Sequence, residues 1–188
     1  NGFILLGESG YDYSGRSVSG AGDVNGDGFD DVIIGAFGAS SESGSSSGRS
    51  YVVFGRASGF DSDEGFASTL ALSSLDGANG FVLLGESGYD RSGYSVSGAG
   101  DVNGDGFDDV IIGAPYADFV NDAGNIVSSG KAYIVFDELI QLPPPSPSSI
   151  LTLAFSSLGG DSGFVSLAAS RSADLGRSVS GAGDVNGD

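Results

Sequence analysis

Residues 23–31 read Asp-Val-Asn-Gly-Asp-Gly-Phe-Asp-Asp, and the same nine residues recur unchanged at 101–109. Each copy runs into Val-Ile-Ile-Gly-Ala (32–36 and 110–114) and follows Ser-Val-Ser-Gly-Ala-Gly (17–22 and 95–100). Short runs rich in β-branched residues, bounded by Gly and Asp, read as strands. A polar, Gly-punctuated loop between two such strands, written twice, makes the fold all-β and repetitive.

Working outward from the loops, Gly2–Ala36 overlays Gly80–Ala114 with three differences: Ile4/Val82, Tyr13/Arg91 and Arg16/Tyr94. A third copy opens at Gly163-Phe164-Val165 and returns as Gly176–Asp188, identical to Gly15–Asp27. The loops open at Asp23, Asp101 and Asp184, a period of roughly 80 residues, which suits a unit of several strands such as a propeller blade or a sandwich segment. Third strands are read at 51–54 and 133–136, and fourth strands at 80–85 and 163–167. The Val-Ile-Ile runs do not alternate with polar residues, as expected of strands covered on both faces by neighbouring sheets. The stretches 39–48, 56–79 and 137–163 read as looser connections, and Pro-rich 142–147 cannot pair inside a sheet.

Composition narrows the chemistry. The 34 Gly in 188 residues imply frequent turns. The net charge of -18 repels nucleic acid and anionic membrane surfaces and attracts cations. With neither Cys nor His there is no thiolate or imidazole for a zinc site, no thiol nucleophile, and the commonest general base is missing. No apolar run approaches the length of a membrane helix. The opening Asn-Gly-Phe does not begin a signal peptide and looks internal to a longer precursor.

The nine-residue loop places oxygen-bearing side chains at positions one, three, five and nine, a set suited to a hard cation. Asp23, Asn25 and Asp27 point inward at alternate positions, Phe29 offers its carbonyl, and Asp31 closes the shell directly or through water. The second copy uses Asp101, Asn103, Asp105, Phe107 and Asp109 in the same way. Gly28 and Gly106 allow the sharp turn, while Asp30 and Asp108 are read as facing solvent. The bland alternative is a pair of Asn-Gly and Asp-Gly turn formers. Recurrence with Asp at position nine argues against it, because carboxylates crowded on an empty loop would repel one another. Calcium suits several flexible oxygen ligands better than magnesium, and zinc lacks its preferred ligands here. EF-hand and dockerin loops share the opening but carry an acidic ligand at position twelve and continue into a helix. Here position twelve is Ile34 or Ile112, inside a β run. The third loop supplies Asp184, Asn186 and Asp188 and stops before position nine.

From Gly15 to Ala36 the sequence resembles the FG-GAP repeat of integrin alpha-chain β-propellers and of large bacterial secreted proteins, and the second copy ends Gly113-Ala114-Pro115. The resemblance implies four-stranded antiparallel blades with a Ca2+ loop between first and second strands. The expected organisation is an outer strand of a preceding blade at 1–15, a first blade at 16–85, a second at 86–168, and the start of a third at 169–188. Two blades with partial flanking blades cannot close a ring within one chain.

The expected function is therefore that of a calcium-binding structural module of an extracellular or cell-surface protein, without enzymatic activity. The strand at Gly2–Gly7 and the segment 176–188 are read as exposing unpaired edges, which makes copies of the same chain the expected partners, joined head to tail in a filament. The alternative is an adhesin fragment of a larger closed propeller, binding a protein or glycan. Tyr11, Tyr89, Tyr94 and Tyr116 are candidates for such a surface, although half-buried blade edges explain them more simply. Arg16, Arg91 and Arg177 are read as isolated surface ion pairs.

Overall fold

The computed structural model describes residues 3–56, 68–120, 124, 126–136, 152–154, 163–167 and 174–182. Two antiparallel sheets dominate it. In the first, β2 (Ser17–Gly22), β3 (Asp31–Ala36), β4 (Arg49–Val53) and β6 (Gly80–Leu84) pair in that order. The second repeats the pattern with β7 (Ser95–Gly100), β8 (Asp109–Ala114), β11 (Lys131–Val135) and β13 (Gly163–Leu167). A short strand, β12 (Thr152–Ala154), adds to the outer edge of β6 in parallel.

The apolar run of β3 is buried on both faces: Ile33 and Ile34 are each almost wholly covered. Ile33, Val52 and Phe81 of the first sheet pack with Val96, Val110, Ile112 and Tyr133 of the second in one core. Successive residues in a strand point to opposite faces. Ile34, Tyr51, Val53 and Val82 accordingly form a separate core on the far side of the first sheet. The cover there is not a neighbouring four-stranded sheet. It comes from β1 (Phe3–Leu6), β5 (Ser68–Ala71) and a single 3-10 turn, Leu72–Ser74, through Leu5, Leu70, Leu72 and Leu75.

This corrects the reading of residues 2–7 as an unpaired edge. β1 pairs in parallel with β5, from Phe3 opposite Ser68 to Leu6 opposite Ala71. Of the other edge, 174–182 is described without a regular strand, and residues 183–188 lie outside the described residues. Residue 137 and onward to 151, including the Pro-rich segment, lie outside them too. The connection after β8 carries a small antiparallel ribbon, β9 (Asp118–Val120) with β10 (Ile126–Ser128).

Candidate metal loops and the opposite face

Both Asp-rich loops leave their first strand at a bulge. In β2 the pairing with β3 skips a residue between Gly20 and Gly22, and β7 does the same between Gly98 and Gly100. Gly22 and Gly100 sit at φ 76° and 73°, a left-handed conformation that a side chain resists. Such a bulge bends the strand and turns the following residues out of the ladder. Residue 23 or 101 therefore starts a tight coil that joins the two antiparallel strands, instead of a two-residue hairpin turn.

Inside the coil, side chains and backbone hold one another. Asp23 Oδ1 accepts the Asp27 N–H at 3.0 Å, and Oδ2 accepts the Gly28 N–H at 2.9 Å. Asn25 Oδ1 also accepts from Asp27 N–H, and its Nδ2 donates to Asp27 Oδ2, both at 3.0 Å. Asp27 Oδ1 accepts the Phe29 N–H at 3.0 Å. In the second loop Asp101 accepts from Gly104, Asp105 and Gly106, Asn103 meets Asp105, and Asp105 accepts from Phe107.

The structure thus brings Asp23, Asn25 and Asp27 together, and likewise Asp101, Asn103 and Asp105. It turns the position-nine carboxylates inward. Asp31 is 1% exposed; its Oδ2 accepts the Val24 N–H at 3.0 Å and its Oδ1 the Gly55 N–H at 2.8 Å. Asp109 is equally buried and accepts the Val102 N–H at 2.7 Å. Burial pushes Asp31 up to about 6, against the pull of its two N–H donors, with the nearby Asp27 and Asp23 charges adding to the rise. Among the described residues no group of three acidic side chains stands ready as a closed cage. The donor set is nonetheless all oxygen and rich in carboxylate, which fits a hard cation and no other metal class. Asp184, Asn186 and Asp188 lie outside the described residues.

Asp30 is exposed, but Asp108 does not face solvent as the sequence suggested. It reaches the neighbouring loop, where its Oδ2 accepts the Asp23 N–H at 2.8 Å. The two loops were indistinguishable in sequence because only their neighbours differ.

The arginine reading also changes. On the opposite ends of the strands, Tyr13 stacks on Phe37 at 4.9 Å, Phe37 meets Tyr94 at 5.3 Å, and Tyr94 meets Tyr116 at 6.4 Å. Arg16 lies over Phe37 and Tyr94, and Arg91 over Phe37 and Tyr116 at 4.6 Å. These arginines are ring partners. Arg177 does form a surface ion pair, with Asp174 at 3.0 Å. Tyr11 and Tyr89 stand at the tips of this face, 87% and 69% exposed and at positive φ of 67° and 69°. Phe37 was missed as a member of the group, although it falls just past the point where the repeats diverge.

With two like sheets and two like loops in place, comparison with known proteins decides the family. Residues 14–53 and 92–135 match the FG-GAP repeat. These are two FG-GAP repeats. The chain is 33% identical over 112 residues to integrin alpha pat-2 of Caenorhabditis elegans, covering 56% of this chain and 8% of that protein. It is 35% identical over 118 residues to integrin alpha-5 of Xenopus laevis, covering 61% and 10%. It is also 32% identical over 136 residues to the phosphatidylinositol-glycan-specific phospholipase D of Dictyostelium discoideum, covering 71% and 13%. The FG-GAP chain spans only 8% to 13% of the length of these relatives. No described helix is long and apolar enough to cross a membrane.

Proposed function

We propose that this chain is a calcium-binding structural module of an extracellular or cell-surface protein, contributing consecutive blades to a larger β-propeller. The observation that carries the metal assignment is the hydrogen-bonded succession Asp23, Asn25, Asp27 at one loop and its copy Asp101, Asn103, Asp105 at the other. Phe29 and Phe107 carbonyls and the buried Asp31 and Asp109 would complete the two oxygen shells, with Asp184, Asn186 and Asp188 beginning a third. Bound Ca2+ would neutralise carboxylates held close together and tie the first two strands of each blade. The cell-surface placement rests on the integrin alpha likeness.

The second sheet supports the propeller reading. Ile111, Ile134 and Phe164 occupy the positions of Ile33, Val52 and Phe81, yet the first two are only half-buried and Phe164 is 46% exposed. That face is built like the one that receives the next sheet. End-to-end assembly of identical chains would need the matching face of the first sheet, which β1, β5 and the 3-10 turn already cover. A blade of a larger propeller therefore fits better than an open filament. A ligand-binding role is the second reading, favoured by the exposed tyrosines and the ring-stacked arginines on the face opposite the loops. Catalysis forms no part of either reading: the chain has no His and no Cys, and its clustered carboxylates are committed to the loops.

Calorimetric titration with calcium tests the proposal. The expected result is uptake of an ion at each of the loops 23–31 and 101–109, lost when Asp27→Ala and Asp105→Ala are combined. Absence of uptake by the parent chain, or full uptake by the double variant, refutes it.

A further inference from the structure

The two metal loops have one sequence and two environments. Asp108 of the second loop makes a reciprocal pair with Asp23 of the first: its N–H donates to the Asp23 carbonyl at 3.2 Å, and its Oδ2 accepts the Asp23 N–H at 2.8 Å. The neighbouring Phe107 ring lies against Gly26, so closely that a Cβ on Gly26 would stand 2.2 Å from its Cε1. A Cβ on Gly22 would stand 2.1 Å from Asp108 Oδ2. Among the described residues nothing plays this part for the second loop, where a Cβ on Gly100 or Gly104 meets no atom within 4 Å. Correspondingly, Asp23 and Asn25 are half-buried, whereas Asp101 and Asn103 are exposed.

We propose that Asp108 is a positioning residue that couples the two loops, so that a divalent cation held at 101–109 tightens binding of another at 23–31. The inference rests on the calcium reading above and deepens it. Asp108 lies between Phe107, whose carbonyl is a donor in the second shell, and Asp109, its position-nine carboxylate. A cation drawn in by those two residues fixes the backbone of Asp108. Asp108 then fixes the backbone of Asp23, which is position one of the first loop. Asp23 in turn receives the N–H groups of Asp27 and Gly28. Phe107 meanwhile confines Gly26, the residue between the donors Asn25 and Asp27. The first loop is thereby ordered before its ion arrives, and the ordering cost is removed from that binding step. Linkage makes the effect mutual: an ion in the first loop favours one in the second by the same factor.

Asp108 also adds a negative charge near the first loop, which would strengthen cation binding without any coupling. Asparagine separates the two effects, because its carbonyl oxygen can accept from Asp23 N–H without the charge.

The test is calcium calorimetry on the full chain, comparing the parent, Asp108→Ala and Asp108→Asn, each with and without Asp105→Ala to disable the second loop. In the parent background, Asp105→Ala should weaken the first loop by roughly five- to tenfold, within the usual range of coupling between sites. In the Asp108→Ala background the same change should leave the first loop unaffected, and Asp108→Asn should restore the sensitivity. Melting in chelator, measured alongside, should not track these differences, as it would for a merely structural role. The coupling is refuted if Asp105→Ala leaves the first loop unchanged in the parent, a comparison that does not depend on Asp108→Ala folding. It is equally refuted if Asp108→Ala keeps the parent's sensitivity. Absence of any calcium heat in the parent overturns the metal reading itself, an outcome distinct from two ions binding independently.

Discussion

Replacing Asp31 with asparagine should have opposite meanings in chelator and in calcium. The carboxylate is 1% exposed and burial raises it from 3.8 to about 6. At about 1.4 kcal/mol per pH unit, a shift of about two units disfavours the ionised form at neutral pH by about 3 kcal/mol. Asparagine removes that cost but keeps only one acceptor oxygen, leaving either the Val24 or the Gly55 N–H against an amide nitrogen. An unsatisfied buried N–H costs about 1–3 kcal/mol. The two effects nearly cancel, so in chelator Asp31→Asn should lie within about 2 kcal/mol of the parent. In calcium the parent gains from each filled loop, about 2.7 kcal/mol at a free concentration a hundredfold above Kd, and the variant forgoes the share of the first loop. Urea unfolding of both proteins in both buffers reads this directly. Equal losses in chelator and calcium would show that Asp31 is only a bracket between Val24 and Gly55, and the reasoning would fail.

Chelation of the parent should lower its melting temperature, since an ion that binds only the folded chain stabilises it by mass action; unchanged melting in calorimetric scans would contradict this. Asp90 is buried, accepts the Ser87 N–H, and is held up to about 6 by burial despite the opposing Lys131 charge. Its folded-state value lies above the unfolded one, so its contribution is present below about pH 4 and is lost as pH rises through 6. Asp90→Asn should therefore flatten the fall in stability between pH 4 and 6 in urea titrations run in chelator. Phe37→Ala should cost about 3 kcal/mol or less by loss of ring contacts, while leaving calcium uptake unchanged; a change in ion stoichiometry would mean the two ends of the strands are coupled in a way the geometry does not provide.

What the sequence made legible was what is local and repeated. The unbroken apolar run Val32-Ile33-Ile34 announced a strand buried on both faces, and the Gly- and Asp-rich stretch after Gly22 announced a tight loop, in which Asp23, Asn25 and Asp27 are hydrogen-bonded together. Pairings between distant segments were not legible. β5 lies in Ser68–Ala71, whose Ser-Thr-Leu-Ala carries little strand signal, and its parallel partner β1 is far away in the chain. Asp108 could not be told from Asp30, because identical stretches acquire different roles only from what stands beside them. The arginines on rings were half legible: two of the three differences between the repeats, Tyr13/Arg91 and Arg16/Tyr94, were visible, but their meeting at Phe37 required the sheets to be placed side by side.

That exchange gives each repeat a parity. Where one copy carries Tyr13 and Arg16, the next carries Arg91 and Tyr94, so that each guanidinium finds one ring in its own blade and one across the seam: Arg16 has Phe37 and Tyr94, and Arg91 has Tyr116 and Phe37. Two blades of the same kind set side by side would instead oppose arginine to arginine at one position and leave a ring without its cation at the other. Chains built of near-identical repeats are prone to pairing the wrong copies as they fold. A swap of two residues between copies lets neighbours be told apart while the first two strands of each blade and the Asp-rich loop between them keep the same sequence.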